Sequence, residues 1–200
     1  MDVWRQMAAA RVPGILAFVA TSMDAPRYIT VAQWNLNAHI QVLHLHLLRG
    51  GHLAGQINFH DIDAYIRSAL RVVGIEAEHH AMARNVFALY ARARTNLEDT
   101  PEWRAWSDDH ARVNAHADEA TQALRAALAF ARASFGAIPV PGSSFSFPRH
   151  SAGWTAWMLA AERNARLAVQ STAVAVDQLH QMRQAAMAEC GNAWILLTTR

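Results

Sequence analysis

Lysine is absent from this chain: its 18 basic residues are all arginine. A GC-rich coding sequence produces such a bias. The functional reading is arginine's planar fork, which suits phosphates and interfaces. The single Cys190 excludes an intramolecular disulfide and fits a reducing compartment. No apolar run approaches the roughly 18 residues that a membrane span needs. The run from Pro13 to Ala20 is short and broken by Pro13-Gly14, so a signal peptide is not expected. There is no internal repeat and no low-complexity tract. A Gly-rich phosphate loop, a zinc-type cysteine cluster and a Gly-x-Ser-x-Gly elbow are all missing. A net charge of +2 is too small to indicate nucleic-acid binding by itself.

What is present is apolar and unevenly charged. An apolar fraction of 52% supplies a core, and 200 residues suit one domain. Acidic residues concentrate between positions 98 and 120, and arginine dominates from 121 onward. The chain also holds 11 histidines and 7 tryptophans.

The stretch from Asp61 to Leu97 reads as one long amphipathic helix, or two hinged at Gly74. Unbroken, it spans on the order of 50 Å. Ile75, His79, Met82, Val86, Leu89, Ala93 and Leu97 form one stripe at steps of four and three. Glu78, Arg84, Arg92 and Arg94 lie opposite.

Upstream, Asp2–Arg11 fits a short helix, Gly14–Thr21 a strand-length apolar run and Ser22–Arg27 a turn. From Trp34 the pattern alternates: Trp34, Leu36, Ala38, Ile40 and Val42 against Asn35, Asn37, His39 and Gln41. That is period two, the mark of a half-buried strand. Residues 34–59 therefore read as a β-hairpin or small meander turning at Arg49-Gly50-Gly51. The alternative is a helix over 33–48, because Leu36, Ile40, Leu43 and Leu47 also share one helix face.

Downstream, Thr100 followed by Pro101 is a helix-start signal. Trp103, Trp106, His110, Val113, Ala117, Ala120, Leu124, Ala127 and Ala131 then step three and four throughout. A short connection at 98–100 predicts antiparallel packing on the preceding helix. Gly136–Arg149 is a loop pinned by Phe145 and Phe147. A fourth element runs from Ser151 to Glu189, with Met158, Ala161, Ala165, Ala168, Thr172, Val176, Leu179, Met182 and Ala186 on one face and Gly191 as its cap. Ala193–Thr199 reads as a terminal strand. The expected fold class is mainly α with a small β element (α+β). Three to four long antiparallel helices form one domain over 1–200. Its parts are a β-containing 1–60, a helical hairpin 61–135, a loop 136–150 and a C-terminal helix and strand 151–200.

Two patterns point to chemistry. His44-Leu45-His46 on a strand puts both imidazoles on one face, where they can hold a divalent metal. Downstream, Asp61-Ile62-Asp63-Ala64-Tyr65 presents a tyrosine on a helix. This arrangement resembles the rolling-circle nicking endonucleases, although the family's lysine near the tyrosine has no counterpart here. The resemblance implies His44 and His46 as metal ligands and Tyr65 as nucleophile. The second pattern is Glu76-Ala77-Glu78-His79 with Asp177-Gln178-Leu179-His180. A carboxylate and a histidine three apart share a helix face, and two such pairs in a bundle can hold two metals, as in ferritin-like di-iron proteins. His79 and His110 both lie on apolar stripes, but an antiparallel turn at 98–100 offsets them by roughly 12 Å, too far to share an ion.

The main functional expectation is a structural or assembly subunit of a homo-oligomeric particle, such as a virion or phage coat, shell or connector. Tryptophans at this density suit protein–protein contacts. Its working residues are Arg84, Arg92, Arg94, Trp103 and Trp106, contacting neighbouring copies or nucleic acid. It needs no cofactor and resides in the cytoplasm or the virion. The alternative is the metal-dependent nicking enzyme.

Overall fold

A computed structural model describes residues 24–49, 59–92, 100–136 and 152–198. They form four helices: α1 (Asp24–Arg49), α2 (Phe59–Arg92), α3 (Pro101–Gly136) and α4 (Ala152–Thr198). No strand occurs among the described residues, so the α+β expectation is overturned and the fold is an all-α bundle. The readings of Asp2–Arg11, Gly14–Thr21 and the 136–149 loop beyond Gly136 lie outside the described residues.

The expected hairpin fails first in α1. Alternation would bury Trp34, Leu36, Ala38, Ile40 and Val42 together. Instead the buried positions are Ala25, Ile29, Ala32, Leu36, His39, Ile40 and Leu43, which is helical spacing, while Trp34 is 79% exposed. The 33–48 helix is the correct alternative. The turn expected at 22–27 is helix from Asp24 onward, where α1 begins. Asp24 favours the positive end of the helix, and Pro26 is tolerated in a first turn, where its missing N–H has no partner to lose.

The terminal strand is likewise helix. α4 runs through Gly191, the expected cap, to Thr198, and Ala193 and Leu196 are buried three apart. β-Branched and apolar residues at a helix end carry no strand when a buried stripe continues through them. α3 begins as expected: the Trp103 backbone N–H donates to Thr100 Oγ1 at 3.2 Å. Every position of its expected stripe from Trp106 to Ala131 is buried, and that of α4 is buried save half-buried Val176.

α2 is continuous through Gly74, but its stripe is not the expected one. Ile62, Ile66, Ala69, Val73, Glu76, His80 and Phe87 are buried. Ile75, His79 and Met82 are exposed. The true stripe is rotated by about one residue, or roughly 100°.

The described residues divide into two compact units. One holds residues 27–70 and 122–175. Within it Leu43, Met158 and Ala161 pack with Trp154. A polar link joins three helices there: Ser134 Oγ donates to the Ala161 carbonyl at 2.7 Å and lies 3.2 Å from His39 Nε2. The serine proton is committed to that carbonyl, so His39 donates and Ser134 accepts. Burial pushes the His39 pKa down to about 4, which keeps the ring neutral. A histidine donating to serine is no general base, so this pair is a structural link.

The second unit holds residues 71–121 and 176–200, with the start of α1 at 24–26. Here Phe87 meets Trp106 at 4.9 Å between ring centroids, and His80 meets His110 at 5.2 Å. Moving backward along α2 moves forward along α3, so the two run antiparallel. α4 closes on them through Ala193 and Leu196, which pack with Phe87 and Trp106.

Candidate metal centre

The rotated stripe of α2 carries two polar residues into the core of the second unit, Glu76 and His80. α3 contributes Asp109 and His110, and α4 contributes Glu189. Burying this many ionisable groups is costly unless they are paired or hold an ion. Three of them converge. His80 Nε2 stands 2.6 Å from Glu189 Oε2, and His110 Nδ1 stands 3.4 Å from Glu189 Oε1. The two imidazoles are nearly parallel, at 11°. One donor atom from each of the three residues lies within 4.8 Å of the others, and this is the one such group among the described residues.

Glu189 Oε2 and His110 Nδ1 are both buried with no further hydrogen-bond partner among the described residues. Electrostatics still holds the carboxylate ionised. Burial raises the Glu189 pKa, but the two adjacent imidazoles outweigh it and bring the net value below the ordinary carboxylate range. Two ring nitrogens and an ionised carboxylate that converge from three helices make a donor set for a first-row divalent ion. Donors around such an ion, at about 2.1 Å each, stand roughly 3 to 3.4 Å apart. One contact already fits; the other needs to open slightly.

A neighbouring amide orients the His110 ring. Asn114 Nδ2 lies 3.0 Å from His110 Nε2. With the amide donating, the His110 proton sits on Nδ1, facing Glu189. A half-turn of the amide makes Asn114 an acceptor for Nε2–H and leaves Nδ1 unprotonated for an ion, the usual outer-shell arrangement of metal-bound histidine. Asp109 is tied to Arg112 and accepts from Asn192 Nδ2 at 2.6 Å, which links α3 to α4 beside the cluster. In the same unit Trp106, 1% exposed, packs with Phe87, Ala193 and Leu196. Next to Glu189, burial first and the Glu189 charge second push the Cys190 thiol up to about 12.

The residues expected from sequence fall elsewhere. His44 and His46 lie on α1, not on a strand. Positions two apart on a helix are about 200° apart around the axis, so they do not share a face. His44 is exposed and Tyr65 is half-buried on α2. Of the di-metal pattern, His79, Asp177 and His180 are exposed, and His180 lies 2.9 Å from Gln184 Nε2. Arg84 is half-buried with its guanidinium 5.0 Å over the Trp106 ring, and Trp106 is core rather than surface. Trp103 is half-buried, Arg92 closes α2, and Arg94 lies outside the described residues.

His80 and Glu189 were missed by sequence reasoning, and the helical phase is why. The 12 Å separation was reckoned for His79 about a turn at 98–100. The described helices end at Arg92 and resume at Pro101, and the buried residue is the next one along, His80. The signal that finds it is the set of steps Ile62, Ile66, Ala69, Val73, Glu76, His80, which is regular once polar residues are allowed on a buried stripe.

Comparison with protein-family models, curated proteins and solved structures gave no match. The geometry of the cluster therefore carries the functional reading. No described helix is long and apolar enough to cross a membrane.

Proposed function

We propose that this is a metal-binding helical protein that holds one divalent first-row ion at His80, His110 and Glu189. The observation that supports it is the convergence of two imidazoles and an ionised carboxylate from three helices, with the donor atoms within 4.8 Å of one another. Borderline donors of this kind suit zinc, iron, cobalt or manganese. When bound, the ion neutralises the Glu189 charge and ties α2, α3 and α4 together. Chelator-stripped protein titrated with Zn2+ or Co2+ should bind one equivalent. Glu189→Gln should abolish tight binding. Absence of stoichiometric binding by the folded wild-type chain refutes the reading.

A second reading is a homo-oligomeric assembly subunit, with arginines contacting nucleic acid. Its support is a set of large apolar side chains left in solvent: Trp34 on α1, and Met187, Trp194 and Ile195 on α4. Light scattering coupled to size exclusion tests it, with absorbance at 260 and 280 nm across the peak. A monomer at high concentration excludes it. The two readings are compatible.

A further inference from the structure

Glu76 is 3% exposed, and neither carboxylate oxygen has a hydrogen-bond partner among the described residues. Burial, and secondarily the negative charge of Asp24, push its pKa up to about 7. Among the described residues no cationic group contributes to that shift; Arg84, two turns along α2, is stacked over Trp106. A carboxylate in this setting needs a proton or a cation.

The proposed cation site stands one turn away along α2, and the Glu76 carboxylate lies outside the group of His80, His110 and Glu189. Glu76 and His80 are four apart on the buried stripe of α2. That spacing sets their Cβ atoms roughly 6 Å apart, within reach of a glutamate side chain turned toward the same ion. Charge makes the same demand. A divalent ion on two neutral imidazoles and one carboxylate leaves a net positive charge in the core, where uncompensated charge is expensive. A second carboxylate brings the sum to zero.

We infer that Glu76 is the fourth protein ligand of the centre, reaching the ion by a side-chain turn from its position one helical turn before His80. The inference rests on the metal reading above. It also fixes the type of site. Three protein ligands leave a coordination position open for water or substrate, whereas four close a tetrahedral shell and make the ion structural. The ion then staples three helices of one unit and holds no substrate.

The test is a Co2+ titration of stripped, folded wild-type protein beside Glu76→Gln and Glu76→Asp, with zinc competition for affinity and circular dichroism to check folding. Wild type should show the intense visible bands of tetrahedral Co2+, unchanged by added azide. Glu76→Gln should bind at least tenfold more weakly, with weaker bands that azide alters. Glu76→Asp keeps the charge but shortens the reach and should fall between, which preserves the test if the amide variant does not fold. Wild-type protein that binds no Co2+ refutes the metal reading itself. Wild-type binding that is tight, with affinity and bands unaffected by either substitution or with bands that azide perturbs, overturns the role of Glu76 and leaves the three-residue centre standing.

Discussion

Glu76 makes a prediction that needs no metal at all. In stripped protein its carboxyl titrates near 7 instead of at an ordinary 4.5. Each unit of difference between folded and unfolded states is worth about 1.4 kcal/mol, so the full effect is about 3 kcal/mol. Its sign follows from proton counting. Below about pH 4.5 both states hold the proton, and burial of the neutral acid carries no ionisation cost. Between about 4.5 and 7 the unfolded chain releases the proton and the folded one does not, so wild-type stability falls as pH rises. Above about 7 both states are ionised and the penalty is complete. Glu76→Gln has no proton to lose and omits this slope. The amide's own burial cost is the same at every pH, so it shifts the curve without tilting it. The assay is urea unfolding with a chelator present, every half unit from pH 4.5 to 8, followed by circular dichroism. The gap between wild type and variant should move by about 3 kcal/mol in the variant's favour across that range, with the contributions of Glu189 and the histidines cancelling. Parallel curves refute the account of Glu76 as a buried carboxylate without a cationic partner.

Two further outcomes follow from single positions. Gly74 lies inside α2, is exposed, and an added Cβ there meets nothing within 4 Å, so Gly74→Ala should stabilise the protein by about 0.5–1 kcal/mol in denaturant melts; a loss of stability shows that the helix is interrupted there. Cys190 is buried, its thiol pushed up to about 12, so a thiol reagent at pH 8 should label native protein far more slowly than protein in denaturant. Equal rates contradict the packing around Glu189.

Helix content was legible wherever apolar residues alone marked the buried face. α4 carries alanine, leucine and methionine at nearly every inward position and α3 carries alanine and leucine from Ala117 to Ala131, and both stripes match the buried face. α1 was misread because two periods coexist in one segment. Leu36 and Ile40 satisfy both the alternating and the helical pattern. Trp34, Ala38 and Val42 are inward only in the alternating pattern, and Trp34 and Ala38 are exposed and Val42 half-buried. Ile29 and Ala32, just before the alternating stretch, extend the helical stripe and not the alternating one. The longer register decides, because a helix gains its stability from a continuous buried face more than from the propensity of any short run. The same argument disposes of the terminal strand, since Cys190, Ala193 and Leu196 continue the stripe of α4.

The candidate centre was hidden for a different reason. A hydropathy stripe is chosen by maximising apolar residues on one face, and in α2 this selects Ile75 and Met82. The buried face instead carries Glu76 and His80, which any such rule turns toward solvent. The misassigned phase and the centre are thus the same fact, because residues kept inside against their hydration preference defeat the pattern that would reveal them. The upstream half of α2 settles the phase independently. Ile62, Ile66, Ala69 and Val73 are apolar and evenly stepped, and carrying their register forward without a break at Gly74 lands on positions 76 and 80. The optional hinge at Gly74 was what allowed the two halves to be phased separately. In a long helix, the register of its unambiguous half constrains its ambiguous half, and a charged residue that this register forces inward is the first place to look for an ion.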